Sequence, residues 1–170
     1  MKSLDCNTPR GQIYIGTQLS CHTRIEEALN CEVISTNTKS SSDIDALLVR
    51  NKILIGLGEV KSREMSFDLI SKKLMYNGRG YDSYLITHEK LEKLRNLCKI
   101  FNVSGFLFVS LLLDGKIAVW KICDANGNFC VEMKKEKTKT QATCNGGTAF
   151  RENAYLSLNS MQILKEKVLT

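Results

Sequence analysis

The chain has 170 residues, 43% of them apolar and 25% charged, with a formal net charge of +6, which is enough to build one domain with its own core and excludes a disordered polyelectrolyte. Its seven cysteines, at 6, 21, 31, 98, 123, 130 and 144, form no Cys-x-x-Cys pair and read as reduced core thiols rather than a disulfide frame or a zinc site. No apolar run approaches the roughly twenty residues of a membrane span, and Met1 to Asp5 carries no signal-peptide core, so the expected setting is cytoplasmic with no membrane partner, and the modest basic excess favours a polyanionic one.

In chain order, Pro9-Arg10-Gly11 reads as a turn, followed by a short apolar patch at Ile13, Tyr14 and Ile15. A helix is expected over 17–30 with Thr17 as its N-cap, burying Cys21, Ile25, Ala28 and Leu29 at helical spacing. Glu26 borders that face and Glu27 projects away from it. His22, one turn earlier on the same flank, reads as a structural histidine. A first strand is expected over 31–36, then a polar loop over 37–42.

The apolar runs 45–49 and 53–57, joined by Arg50-Asn51-Lys52, predict a hairpin of strands buried on both faces. The second strand continues through Gly58-Glu59-Val60-Lys61-Ser62-Arg63. Alternation puts Glu59, Lys61 and Arg63 in one row and turns Val60 into the core.

A helix follows, with Phe67, Leu69, Ile70, Leu74 and Met75 along one stripe and Lys72 and Lys73 off it. Asn77-Gly78-Arg79-Gly80 predicts a turn. An extended segment over 81–86 leads to Thr87, the expected N-cap of a helix over 88–101 whose apolar face is Leu91, Leu94, Leu97, Cys98 and Phe101. The run 105–113 predicts a central strand, and Asp114-Gly115 a hairpin turn into a strand over 116–122. Beyond it, 129–133 reads as an edge strand and 134–141 as a charged loop, solvated or lying along nucleic acid. Cys144 to Thr148 reads as a turn, 154–158 as a last strand and 161–168 as a closing helix. The succession predicts an α/β fold, a mixed sheet flanked by helices.

Charged groups at the ends of buried strands need partners. Asp45 and Glu59, brought together at the edge of a dry sheet, repel unless one is protonated or a divalent cation binds. Oxygen donors of this kind suit Mg²⁺ or Mn²⁺. The Lys61 ammonium can orient an attacking water or stabilise charge building on a phosphoryl group. The spacing therefore points to metal-dependent phosphodiester hydrolysis.

Ser42-Asp43-Ile44-Asp45-Ala46-Leu47 followed by Gly58-Glu59-Val60-Lys61-Ser62-Arg63 resembles the PD-(D/E)xK nuclease superfamily. The resemblance covers about two-thirds of the chain, residues 16–122. The proline of the family's name is absent. The resemblance implies a restriction endonuclease-like core of order αβββαβ in a single domain over 1–170, with 123–170 as an elaboration. It implies Mg²⁺ or Mn²⁺ held by Asp45, Glu59 and the Val60 carbonyl, with Glu26 as a further ligand, and Lys61 as the catalytic lysine. Asp43 is the rival ligand; Asp45 lies closer to the apolar run, and its spacing to Glu59 fits a short hairpin. Arg63, Lys72, Lys73 and Arg79 would bind phosphates, with Tyr76 and Tyr81 near the substrate. The implied activity is a deoxyribonuclease of structure-directed or weak sequence specificity. Two alternatives are a non-catalytic nucleic-acid-binding protein on the same fold and an RNA endonuclease of cap-snatching type, for which His22 is the only specific support. A homodimer would pair through the edge at 129–133.

Overall fold

The computed structural model describes residues 9–36, 43–71, 83–139 and 150–164. It begins with helix α1 (Pro9–Leu29) and strands β1 (Glu32–Ser35), β2 (Ala46–Arg50) and β3 (Ile53–Arg63). A short helix α2 (Phe67–Ile70), strand β4 (Ser83–Thr87) and helix α3 (His88–Phe101) follow, then β5 (Ser104–Leu111), β6 (Lys116–Cys123), β7 (Met133–Lys139) and β8 (Phe150–Ser157). A 3-10 turn (Leu158–Ser160) and β9 (Gln162–Ile163) close the described chain.

The β2–β3 hairpin is tight because Asn51 and Lys52 both adopt positive φ, 51° and 64°, the geometry whose twist matches the flanking strands. From β3 the chain crosses over through α2, β4 and α3 and returns as β5, parallel to β3 with Glu59 opposite Leu107. A parallel pair requires such a crossover. The result is a mixed sheet of order β1-β2-β3-β5-β6-β9, beside a three-stranded antiparallel sheet of order β4-β8-β7.

Both faces of the mixed sheet are covered, which accounts for the near-continuous apolar runs of β3 and β5. Against α1 lie Val33, Ala46, Leu48, Val60, Phe108 and Ile117, packed with Cys21 and Ile25. On the other face Leu57, Leu107, Val109, Trp120 and Ile122 pack against Leu91, Leu94 and Cys98 of α3. Tyr84, Ile86, Ala154 and Leu156 carry this second cluster into the smaller sheet. Trp120 is seated there with its indole N–H donating to the Ser157 carbonyl at 3.0 Å. Each fully buried side chain of this size contributes about 1.5–3 kcal/mol.

Several expectations need correction. The helix expected to start at Thr17 already includes residues 9–16, so Pro9-Arg10-Gly11 is helical rather than a turn. Residues 134–139, expected as a charged loop, belong to strand β7, where pairing with β8 satisfies a backbone that its lysines alone would leave in solvent. Of the edge strand expected over 129–133, Phe129 makes a single bridge with Cys123 and Met133 is the first residue of β7. Of the closing helix expected over 161–168, Gln162 and Ile163 are instead extended and pair with Val119 and Ala118, and 165–168 lie outside the described residues. Thr87 precedes α3 as anticipated, but its side chain makes no capping hydrogen bond.

Candidate active site

Strand β2 is shorter than its neighbour. Its first residue, Ala46, pairs with Gly58, whereas β3 runs on to Arg63. Beyond Gly58, the Val60 amide and carbonyl face a side from which β2 is absent, and strand geometry sends both in that direction. Asp45 fills part of the gap. Its Oδ2 accepts the Val60 amide at 2.9 Å, as a strand partner's carbonyl would.

Lys61 reaches into the same place. Its Nζ lies 2.6 Å from Glu59 Oε1 and 3.3 Å from Asp45 Oδ2, and donates to the Val60 carbonyl at 3.2 Å. Three oxygens, two from β3 and one from the residue just before β2, thus surround one ammonium. The Glu59 side chain is 1% exposed while that of Lys61 is 28% exposed, so the carboxylate forms the floor of the site and the lysine opens to solvent. Lys90, from the first turns of α3, places its Nζ 3.6 Å from Glu59 Oε1.

Burial pushes the Glu59 carboxyl above the usual carboxylate range, and the neighbouring Asp45 charge adds to this, against the opposing pull of Lys61 and Lys90. For Lys61 burial acts downward, but the Glu59 and Asp45 carboxylates outweigh it and hold the ammonium above the ordinary lysine value. The lysine is therefore fixed as a cation, and the stress of the cluster falls on Glu59.

The donor set fits a hard divalent cation. Two carboxylates and a main-chain carbonyl converge, and Glu59 Oε2 is buried with no hydrogen-bond partner, a costly state unless a cation or proton compensates. The Lys61 ammonium sits among these oxygens. Among the described residues no three His, Cys, Asp or Glu side chains gather for a metal, so water would complete the coordination shell, as is usual for Mg²⁺.

Asp43 does not join the group: it is exposed and paired with Lys93 at 3.1 Å. Glu26 turns to β1, where Oε1 accepts the Val33 amide at 2.8 Å; no contact with Asp45 or Glu59 is found among the described residues. Arg63 continues the row of Glu59 and Lys61, its guanidinium 5.8 Å from the Tyr84 ring centre. Lys72, Lys73 and Arg79, together with Tyr76 and Tyr81, lie outside the described residues.

His22 is buried under the end of β1, its Nδ1 2.8 Å from Ser35 Oγ. Burial lowers its pKa, against the pull of Asp45 and Glu26, and its Nε2 is buried without a hydrogen-bond partner. Sequence reasoning missed Lys90 and Tyr84. The Tyr84 phenol is pushed up by burial and feels the charges of Arg63, Lys61 and Glu59. Neither residue carries a local signal, since both reach the site only through the packing of α3 and β4.

No family model, curated protein or solved structure matches the chain.

Proposed function

We propose that this protein is a metal-dependent nuclease of the PD-(D/E)xK kind that hydrolyses phosphodiester bonds in DNA. The observation that carries the reading is the convergence of Asp45, Glu59 and the Val60 carbonyl on the Lys61 ammonium, with one buried Glu59 oxygen left unsatisfied. The succession α1, β1, β2, β3, α3, β5 and β6 around a mixed sheet also supports it.

Asp45, Glu59 and the Val60 carbonyl would hold the cation, which when bound supplies Lewis-acid stabilisation of phosphate charge and a water of lowered pKa. Lys61 orients the attacking water and donates to charge developing on phosphorus oxygens. Lys90 favours the ionised form of Glu59, and Arg63 lies further along the same row to receive the neighbouring phosphate. Apolar side chains around Glu59 keep the floor of the site dry, which strengthens each of these interactions.

One observation favours a second reading, a nucleic-acid-binding protein without catalysis: the Lys61 ammonium already contacts both carboxylates, at 2.6 Å and 3.3 Å. The two readings separate on labelled single-stranded, duplex and branched DNA incubated with Mg²⁺ or Mn²⁺, comparing the wild type with Glu59→Gln. Metal-dependent cleavage that disappears in the variant is the expected result. A wild type that binds DNA and cuts none with either ion would overturn the nuclease reading in favour of the second.

A further inference from the structure

The lysines of β7 are sorted by face. Lys134 and Glu136 share one side and pair at 4.0 Å, and Thr138 on that side accepts from the buried Asn153 amide at 2.6 Å. On the other side Lys135, Lys137 and Lys139 recur at every second residue, all exposed, and none has an ion-pair partner among the described residues. The row begins at Met133, which packs on the main core, and ends opposite Phe150, an aromatic ring 68% exposed. Like charges so placed repel, and a strand that keeps three of them along one face is shaped for an anion.

On β8 this same face carries Leu156 and Ala154, buried in the main core, and it is linked to the candidate active site through Glu152 and the start of α3. Lys137 pairs in register with Glu152. The Glu152 carboxylate lies 3.7 Å from His88, the first residue of α3, and Lys90, two residues further on, contacts Glu59.

We propose that the β7–β8 face binds a single-stranded stretch of nucleic acid next to the bond to be cut. Lys135, Lys137 and Lys139 would contact successive parts of its backbone and Phe150 would stack on a base. The lysines are spaced at about 6.6 Å, twice the rise of a strand. A cationic track beside an exposed ring is the arrangement that recognises single strands without sequence preference. This inference rests on the nuclease reading for its position but not for its test.

A competing explanation is that the lysines only blunt a sheet edge against self-pairing. Reversing all three to glutamate keeps the edge charged and removes the anion site. Binding of labelled oligothymidylate to the full chain, without divalent ions and across a salt series, is compared with Lys135→Glu/Lys137→Glu/Lys139→Glu. A control reverses Lys52, Lys99 and Lys121, which are exposed elsewhere and impose the same charge change. The expected result is a loss of about tenfold or more and a salt slope reduced by about 2 in the β7 variant, with little change in the control. Phe150→Ala should weaken single-strand binding about fivefold or more and leave duplex binding unaltered.

Equal losses in both triple variants, or unchanged binding in a β7 variant that melts like the wild type, would overturn the proposal. Should that variant fail to fold, Lys137→Gln alone must lower the slope by about 0.7, and an unchanged slope is equally fatal. Strong binding without cleavage would instead sink the nuclease reading and leave this surface standing. Cleavage that survives in a β7 variant with undiminished binding would do the reverse.

Discussion

Replacing Lys61 with methionine tests the charge arrangement of the site most directly, because it removes the ammonium and keeps the aliphatic stem. The wild-type Nζ lies 2.6 Å from a Glu59 carboxylate that is 1% exposed. Stranding one member of a fully buried pair costs about 3–5 kcal/mol. Lys61 is itself 28% exposed, and Lys90 remains 3.6 Å from the same oxygen, so the loss should be nearer 2–3 kcal/mol. For a chain of this size that lowers Tm by about 4–10 °C. The penalty has a pH sign. Glu59 can escape its stranded charge by taking a proton, so the variant should lie closest to wild type at pH 5 and fall furthest behind it at pH 8. It also has a metal sign: without a competing ammonium, Mn²⁺ at a hundred times its Kd should return about 2.7 kcal/mol, a larger gain than in the wild type under the same ion concentration. Thermal melting followed by circular dichroism at both pH values, with and without Mn²⁺, reads all of this. A variant that melts with the wild type at pH 8 without metal, or that gains less from Mn²⁺, refutes the reasoning. Cleavage should fall by about a hundredfold or more whatever the metal affinity.

The raised pKa of Glu59 gives the site an elevated acid limit. Its cause is burial first, then the Asp45 charge; protonated Glu59 holds no cation, so Mn²⁺ affinity measured by calorimetry should decline as pH falls through a midpoint above the ordinary glutamate value, and Lys90→Ala, which removes an opposing charge, should move that midpoint further up. Stability of the metal-free protein should change in the opposite sense: a carboxyl whose folded pKa is raised contributes fully below its unfolded value and loses that contribution as pH rises through the folded one. A midpoint in the usual carboxylate range, or one lowered by Lys90→Ala, would contradict the assignment. Away from the site, Gly105→Ala should cost about 1–3 kcal/mol, because a Cβ there would stand 2.7 Å from Cys98 Sγ and 2.8 Å from Cys123 Sγ. Cys98→Ala in the same chain should recover part of the loss in melting temperature, and an unchanged Tm for the single glycine variant would show that the core yields more readily than its packing implies.

How much was legible from sequence follows from where each element obtains its stability. The β2–β3 hairpin, β5, β6 and α3 were legible because each buries its own apolar pattern, and burial writes a period into the residues. Strand β7 has no such pattern. Met-Lys-Lys-Glu-Lys-Thr-Lys becomes a strand because β8 offers it a ladder from Met133 opposite Leu156 to Lys139 opposite Phe150, and a ladder partner leaves no mark on the partnered sequence. The candidate site divides in the same way. Glu59 and Lys61 share a strand and their common row follows from alternation, whereas Lys90 and Tyr84 arrive by tertiary packing.

Asp45 is the instructive case, because its place depends on an absence in its own strand. Were β2 two residues longer at its start, a main-chain carbonyl would take the Val60 amide and the Val60 carbonyl would be bonded away in the ladder. Because β2 begins at Ala46, a carboxylate substitutes for that carbonyl. The substitution brings a negative charge to within 3.3 Å of Lys61 and leaves the Val60 oxygen turned toward it at 3.2 Å. A mismatch of strand lengths thus assembles the oxygens, and the dry face beside α3 makes their charges strong. Asn at position 45 would keep an acceptor for the Val60 amide and remove the charge, so the hairpin should persist while the cluster loses its hold on any cation. The fold needs an acceptor at that position, and the charge is what the chemistry requires.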